Sequence, residues 1–155
     1  MATDVSLFDP ELCFFGWDCA SSNDLFSRLN EILRARGNVN AGWLDGITTR
    51  ERVYPTGLRV PSAGIAIPHT SPEFIEKPYI AVVRPKEPVL FGAMAGMGDP
   101  VPAEIILNLG IVRDGGQVTV LQNLMAIFTD ESKTADILSQ TTGAGMVAAL
   151  TKYFE

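Results

Sequence analysis

The sequence of 155 residues is poor in the residue types that mark several large protein classes. It contains two cysteines and one histidine, too few for a disulfide framework or for the four-ligand cage of a structural zinc site. No run of Lys and Arg occurs and the net charge is −6, so the basic footprint of a nucleic-acid-binding protein is missing. We therefore expect a protein that holds no metal and binds no nucleic acid.

Long hydrophobic runs are also missing. The N-terminus has no basic segment followed by an apolar one, as a secretory signal would have. The longest nearly apolar stretch, residues 89–98, contains three glycines and is too short to span a bilayer. Because two cysteines also cannot staple a domain of this size, these absences favour a cytoplasmic protein without direct membrane insertion.

Sequence signatures of nucleotide and ester chemistry are absent as well. There is no G-x-x-x-x-G-K-[ST] loop, and residues 96–101 lack the third glycine of a dinucleotide loop and are interrupted by Pro100. Ser62 lacks the G-x-S-x-G frame of a hydrolase, because Val60 stands two residues before it. We expect no organic cofactor.

The sequence does contain enough apolar residues to bury a core. Hydrophobic residues make up 46% and charged residues 19% of the chain, which excludes disorder of the whole chain. A length of 155 residues fits one domain. Residues 1–10 show no periodicity, so we expect a flexible N-terminus there and a single domain over residues 11–155.

Helices are predicted near both ends of the chain, around a middle third rich in strands. Apolar residues at helical spacing predict one helix that ends at Gly37, a second over residues 43–52, and three more beyond residue 117. The longest β-like run, residues 103–112, predicts an interior strand, and residues 84–88 predict a hairpin turn between two shorter strands. The expected fold is α/β (α+β-like), with a single mixed β-sheet of about five strands flanked by helices on both faces.

The most informative residue is His69, the only histidine in the chain. A β-like run delivers it to a loop bounded by Pro68 and Pro72, and sites positioned by a scaffold tend to lie in such loops. Ser71, Pro72 and Glu73 are typical of a helix start, whose free N–H groups would favour an anion. From spacing alone, however, a lone histidine after a strand is more often structural than catalytic.

A wider pattern changes that balance. Residues 50–58 contain an R-E pair and a P-T-G-L segment, and residues 64–69 read G-I-A-I-P-H. In this order and spacing they resemble the enzyme IIA family of the phosphoenolpyruvate-dependent sugar phosphotransferase system, specifically its mannitol/fructose-type superfamily. The similarity extends over nearly the whole chain, and I-P-H is its specific part. Thr70 after the histidine, together with the P-T-G-L turn, favours the galactitol (hexitol) branch.

The resemblance implies a phosphotransferase that works through a phosphohistidine. His69 would accept a phosphoryl group from the phosphocarrier HPr and pass it to a cysteine of a IIB component, which serves a IIC membrane permease. Neutral imidazole, with an ordinary pKa of about 6.5, is a nucleophile near neutral pH. Two alternatives stay open: a nitrogen-type regulatory protein that uses His69 phosphorylation to control protein binding, and a degenerate domain that keeps the fold without the chemistry.

Three further residues are candidates for the surroundings of the phosphoryl group. Arg50 matches the family's arginine upstream of the P-T segment and would stabilise phosphate oxygens, although Arg52 could take the same part. Thr56 could donate its hydroxyl to a phosphate oxygen, or merely bond its own backbone. Gln117 stands where mannitol-type members carry a second histidine, and it can donate a hydrogen bond but cannot carry a proton.

The cysteines and the apolar residues near the motif complete the expectations. Cys13 and Cys19 lack the glycine-rich, basic setting of a phosphorylated cysteine, so we expect both thiols to be buried as small hydrophobes. An apolar docking patch for partner proteins is expected from four residues: Phe74, Ile75, Phe91 and Met94.

Overall fold

The computed structural model describes residues 7–96, 98–112 and 116–154. The strands are β1 (Phe8–Trp17), β2 (Gly57–Val60), β3 (Ala63–Ala66), β4 (Tyr79–Pro85), β5 (Val89–Phe91), β6 (Val101–Ala103) and β7 (Ile105–Gly110). The α-helices are α1 (Ser22–Arg36), α2 (Trp43–Val53), α3 (Gly116–Phe128), α4 (Glu131–Leu138) and α5 (Gly143–Tyr153). None of these helices is long and apolar enough to cross a membrane.

Five strands form one mixed sheet in the order β1-β4-β7-β3-β2. β4 runs parallel to β1 and antiparallel to β7, and β3 runs parallel to β7 and antiparallel to β2. All six residues of β7 are buried, as expected of a central strand that is covered on both faces. The predicted mixed α/β architecture and the predicted interior strand are therefore confirmed.

Helices cover both faces of this sheet. Along β4, Ile80 and Val82 pack into a core with α3, α4 and α5, whereas Ala81 and Val83 pack into a second core with α1 and α2. This alternation follows from the two-residue period of a strand. Each fully buried Leu, Ile or Phe contributes about 1.5–3 kcal/mol through its removal from water, so both cores hold their helices against the sheet.

Capping residues set the bounds of α1 where the sequence predicts them. The Ser21 hydroxyl accepts a hydrogen bond from the Asp24 backbone N–H at 3.2 Å, which satisfies one free donor of the first turn. Gly37 has φ 77°, and its N–H donates to the Arg34 carbonyl at 3.1 Å. A residue with a Cβ is strained in this left-handed conformation, so glycine suits the end of the helix.

The hairpin predicted at residues 84–88 does not form. β4 already pairs with β1 on one edge and with β7 on the other, so it has no free edge for β5. Instead β5 pairs with β6 in a separate two-stranded sheet, which the single-sheet prediction did not include. Lys86 donates its N–H to the Trp17 carbonyl at 2.7 Å, which keeps the turn at the end of β1.

The N-terminal strand also begins earlier than the sequence predicts. Residues 8–10, expected to be flexible, belong to β1, and Phe8 is in register with Ile80 of β4. The Phe8 ring meets Phe154 edge to face, with their centroids 5.1 Å apart. Burial of this aromatic ring supplies the physical reason for order at the start of the strand.

Candidate functional site

The backbone before His69 is held by the central strand β7. His69 forms an isolated parallel bridge with Leu109, whose N–H donates to the Pro68 carbonyl oxygen at 3.1 Å. Asn108 Nδ2 donates to the same Pro68 oxygen at 3.0 Å. Two hydrogen bonds from β7 therefore fix the peptide group that immediately precedes the histidine.

Asn108 is itself held by a tyrosine. The Tyr79 hydroxyl donates to Asn108 Oδ1 at 2.7 Å, and both side chains are buried. Burial raises the pKa of Tyr79, so the phenol keeps its proton and remains a donor. A Cβ at Gly110 would collide with the Tyr79 ring, which explains why this register position of β7 carries glycine. The amide orientation of Asn108 is thus determined by its two partners.

The tautomer of the imidazole follows from its hydrogen bond. His69 Nδ1 lies 2.9 Å from the Ile67 carbonyl oxygen. Because a carbonyl oxygen only accepts, Nδ1 carries the proton, and in the neutral ring the free lone pair is on Nε2. Burial lowers the pKa of the half-buried His69, the Ile67 carbonyl opposes that shift, and the charge of Arg50 lowers the pKa further. The ring is therefore neutral near pH 7, with Nε2 as its nucleophilic atom.

Arg50, in the last turn of α2, is the cation that acts on His69. Its guanidinium carbon lies 5.5 Å from the centre of the Tyr54 ring, and no carboxylate of the described residues forms an ion pair with it. Arg52 is exposed and borders a different cavity of about 310 Å³. Of the two candidate arginines, Arg50 is the one whose charge acts on the pKa of His69, and a contact of either with a phosphoryl group stays a prediction.

Thr56 bonds within the protein and does not reach outward. Its side chain is only 6% exposed, and its hydroxyl donates to Glu51 Oε1 at 2.9 Å. The Thr56 hydroxyl oxygen also accepts a hydrogen bond from the Ile67 N–H at 3.2 Å. The Thr56 backbone N–H donates to Glu51 Oε2 at 2.7 Å. With its proton given to Glu51, the Thr56 hydroxyl has none for a phosphate oxygen. Instead of the predicted donation to a phosphate oxygen, the Thr56 hydroxyl links Glu51 to the backbone of Ile67, two residues before the histidine.

Glu51 is a residue that the sequence reasoning did not single out. Burial raises its pKa to about 7, and the two bonds from Thr56 and the charge of Arg50 partly oppose that rise. Its presence in the R-E pair of the motif was the available signal. The pattern does not show that this carboxylate accepts two hydrogen bonds from Thr56, whose oxygen in turn contacts the Ile67 N–H just before the histidine.

Gln117 cannot be placed in the same detail. It belongs to the first turn of α3, which follows β7, but its side chain lies outside the described residues. A hydrogen bond from Gln117 to the histidine or to a phosphoryl group stays a prediction.

The helix start predicted at Ser71 is a single 3₁₀ turn, Pro72–Phe74. Ser71 makes no side-chain capping bond, and the turn closes with the Phe74 N–H donating to the Ser71 carbonyl at 3.3 Å. One turn aligns too few peptide dipoles to attract an anion as a helix end does. The anion-binding part expected of this segment is therefore not provided by a helix.

The apolar surface near the site differs from the predicted docking patch. Ile75 and Phe91 are both buried. The Phe91 ring packs against Phe26, with ring centroids 6.0 Å apart. Val53 and Tyr54, at the end of α2, are instead exposed by 56% and 65%. They border a groove of about 460 Å³, here called the α2 groove, whose lining includes Gly46, Thr49, Arg50, Val53, Tyr54 and Phe74.

The two cysteines are half-buried, and neither is set up as a thiolate. Burial, reinforced by the charge of Asp9, raises the pKa of Cys13 to about 11, and burial also raises the pKa of Cys19. Both thiols are protonated near pH 7. Within residues 7–96, 98–112 and 116–154, no group of three or more His, Cys, Asp or Glu side chains is placed to hold a metal ion.

Comparison with known proteins identifies a family whose model matches the chain. The family model described as "Phosphoenolpyruvate-dependent sugar phosphotransferase system, EIIA 2" matches residues 6–153. None of the curated protein sequences compared with the chain matches it.

Several solved structures share the fold. The nitrogen regulatory protein IIA-Ntr from Neisseria meningitidis superposes with a TM-score of 0.78 at 21% identity, over 95% of this chain and 98% of that one. IIA mannitol from Escherichia coli gives 0.72 at 23% identity, over 92% and 97%. The complex of enzyme IIAMTL and phosphorylated enzyme IIBMTL from Escherichia coli gives 0.73 at 22% identity, over 92% and 95%. These likenesses establish the fold, and the match over residues 6–153 establishes that the chain belongs to the EIIA 2 family of the phosphoenolpyruvate-dependent sugar phosphotransferase system.

Proposed function

We propose that this protein is a cytoplasmic phosphoryl carrier in which His69 Nε2 accepts and then passes on the phosphoryl group. One observation carries the proposal. The only imidazole in the chain is held through Nδ1 by the Ile67 carbonyl, which leaves the Nε2 lone pair free. The charge of Arg50, which forms no ion pair among the described residues, acts on this ring.

The chemistry requires little covalent work from the protein. In the loading step, the Nε2 lone pair of His69 forms a new N–P bond while the N–P bond of the donor's phosphohistidine breaks and returns its electron pair to the donor nitrogen. In the unloading step, an acceptor thiolate forms an S–P bond and the Nε2–P bond breaks. The proton stays on Nδ1 throughout and is donated to the Ile67 carbonyl oxygen. Arg50 stabilises the charge on the equatorial oxygens in both steps.

The partners follow from the family and from the related complex. We assign phospho-HPr as the donor and a cysteine of a IIB component as the acceptor, with a IIC permease served through IIB. A complex of enzyme IIAMTL with phosphorylated enzyme IIBMTL supports a IIB component as one of the partners. The exposed Val53 and Tyr54 beside Arg50 offer apolar surface on which such proteins can seat. Thr70 and the P-T-G-L turn of residues 55–58 support a hexitol of the galactitol type as the transported sugar.

Phosphoryl transfer with purified components tests the proposal. The protein is incubated with labelled phosphoenolpyruvate, enzyme I and HPr, and we expect acid-labile label on the wild type and none on His69→Ala. His69→Gln repeats the test with a side chain of similar size, and Lys152→Ala, at an exposed position on α5, serves as the labelled control. Equal labelling of His69→Ala and the wild type would refute the proposal.

The same experiment separates transport from regulation. A nitrogen-type regulatory protein would also be labelled on His69, and the likeness to IIA-Ntr from Neisseria meningitidis keeps that function as the second candidate. Addition of a galactitol-type IIB component distinguishes the two. We expect loss of label from His69 and its appearance on the IIB cysteine, whereas retention of the label on His69 would favour the regulatory function.

A further inference from the structure

A chain of buried and partly buried hydrogen bonds leads from α2 to the imidazole. The Glu51 carboxylate accepts both the N–H and the hydroxyl of Thr56, at 2.7 and 2.9 Å. The Thr56 oxygen accepts the Ile67 N–H at 3.2 Å, and the Ile67 carbonyl accepts His69 Nδ1–H at 2.9 Å. Four residues from three separate segments are thus linked, and each bond is donated in the direction from the ring to the carboxylate.

We propose that Glu51 and Thr56 form a positioning unit that keeps His69 in the Nδ1–H tautomer and aims Nε2 outward. The inference rests on the proposed function of His69, but it concerns residues that never touch the phosphoryl group. Their effect passes through the backbone of Ile67.

The direction of each bond explains why the carboxylate matters. In its ionised form, which predominates above the raised pKa of about 7, the Glu51 carboxylate only accepts, so both donors of Thr56 turn toward it. With its proton committed, the Thr56 hydroxyl presents a lone pair to the Ile67 N–H. A hydroxyl free to rotate would instead spend part of its time with its proton pointing at that N–H. Glu51 therefore fixes the rotation of the hydroxyl, and the hydroxyl fixes the N–H side of Ile67.

Ile67 is then fixed on both sides of its Cα. Pro68 restricts the preceding residue to extended conformations, and the Pro68 carbonyl is tied to β7 by Asn108 and Leu109. The Ile67 carbonyl lies between these two anchors and has one direction to point, which is toward Nδ1. Loss of the Thr56 hydroxyl would release the N–H side of Ile67 and leave that buried N–H without a hydrogen-bond acceptor.

A stabilising purpose alone does not account for Glu51. Burial raises the pKa of this carboxyl to about 7, which means that its charged form is disfavoured by the fold. A carboxylate that is kept inside at the expense of stability, next to a loop that carries the only histidine, is expected where geometry matters more than stability.

The test uses the fact that the chain has one histidine, so one pair of imidazole nitrogens appears in a two-bond ¹H–¹⁵N NMR spectrum. The variants are Thr56→Val, which removes the hydroxyl at nearly constant volume, and Thr56→Ser, which keeps it. Thr134→Val is the matched control, because Thr134 is also a buried threonine whose hydroxyl donates to backbone carbonyls, those of Phe128 and Asp130.

We expect the wild type, Thr56→Ser and Thr134→Val to show the Nδ1–H tautomer, and Thr56→Val to show a mixture of both tautomers. The rate of phosphoryl transfer to Thr56→Val should fall about ten-fold, the equivalent of one lost hydrogen bond, and that of Thr134→Val should not change. A wild-type tautomer and rate in Thr56→Val would overturn the inference.

Glu51→Gln keeps the test decisive if Thr56→Val does not fold. The amide has a single acceptor, so one of the two Thr56 donors loses its partner while the buried charge is removed. We expect a variant that is at least as stable as the wild type above pH 7, yet shows a mixed tautomer and a slower transfer. Gain of stability with an unchanged tautomer would overturn the inference. Because the tautomer is read without any phosphoryl donor, failure of His69 to be labelled would refute the proposed function separately.

Discussion

Two polar clusters, one on α4 and α5 and one at the end of α2, differ in whether their cation is paired with a carboxylate. Between α4 and α5, Asp136 Oδ2 accepts from the Tyr153 hydroxyl at 2.7 Å and pairs with Lys152 Nζ at 3.1 Å. These bonds lower the pKa of Asp136 at a solvent-exposed site. At the end of α2, Arg50 instead lies near an uncharged imidazole and an aromatic ring, with no carboxylate partner among the described residues.

The difference indicates which cluster is built to receive an anion. Lys152 is already neutralised, so a phosphoryl group arriving there would have to displace Asp136. Arg50 forms no ion pair among the described residues, although its charge lowers the pKa of the neighbouring Glu51 carboxyl. Under the proposed function, a phosphoryl group on His69 would become its ion-pair partner, a possibility that the paired Lys152 lacks.

Arg50→Ala should give the largest effect. Removal of the cation whose charge acts on His69 is expected to slow transfer from phospho-HPr by about 10²- to 10³-fold, as the loss of one transition-state donor does in other enzymes. The rate is measured under single-turnover conditions with labelled phospho-HPr. Lys152→Ala provides the matched comparison and should transfer at the wild-type rate.

Arg50→Lys sharpens the same comparison. Lysine keeps the charge but not the planar fork of donors, so we expect an intermediate rate. If Arg50→Ala and Lys152→Ala were equally fast, the distinction between an unpaired and a neutralised cation would have no functional meaning here.

Asn108→Ala should give the next largest effect, this time on stability. The substitution leaves the buried Tyr79 hydroxyl without its acceptor and the Pro68 carbonyl with one donor fewer. We expect a loss of about 3–4 kcal/mol in the free energy of unfolding, measured by urea denaturation. Tyr79→Phe removes the Tyr79 hydroxyl together with its hydrogen bond to Asn108, so the loss in the free energy of unfolding should be smaller. A loss below about 1 kcal/mol for Asn108→Ala would mean that this side chain does not hold the loop.

The sequence predicted the parts of this molecule that depend on local signals. The bounds of α1 follow from Ser21 and Gly37. The motif segments within residues 50–69 singled out His69 and Arg50, whose charge acts on the imidazole, and their part in phosphoryl transfer stays a prediction. The interior position of β7 follows from its unbroken apolar run.

Apart from the single 3₁₀ turn found where a helix was predicted at Ser71, the failures concern partners that are distant along the chain. The hairpin at residues 84–88 was wrong because β1 and β7 occupy both edges of β4, which no local pattern reveals. Phe91 was expected at the surface, but its burial depends on Phe26 of α1. The inward role of Thr56 depends on Glu51 and on Ile67, eleven residues further along.

The pH dependence of stability should separate Glu51 from the exposed carboxylates. Its pKa is raised from 4.5 to about 7, so between these values the folded state binds more protons than the unfolded state. The free energy of unfolding therefore falls as pH rises from 4.5 to 7, by about 1–3 kcal/mol from this group. Glu51→Gln removes that decline, which is measured as the difference between the two proteins in urea denaturation at pH 5 and pH 7.5. An equal difference at both pH values would show that Glu51 has an ordinary pKa.

The smallest effect is expected for Asp136→Asn, which breaks the neutralised cluster itself. Asparagine removes the negative charge that pairs with Lys152 but can still accept from the Tyr153 hydroxyl. Exposed ion pairs contribute little and are screened by salt, so the melting temperature should fall by about 2 °C or less at low salt and not at all at high salt. Transfer to His69 should keep its wild-type rate, because the bonds of Asp136 with Tyr153 and Lys152 join α4 to α5. A slowed transfer in this variant would show that a neutralised ion pair far from the imidazole also acts on the site, and the contrast drawn between the two cations would no longer hold.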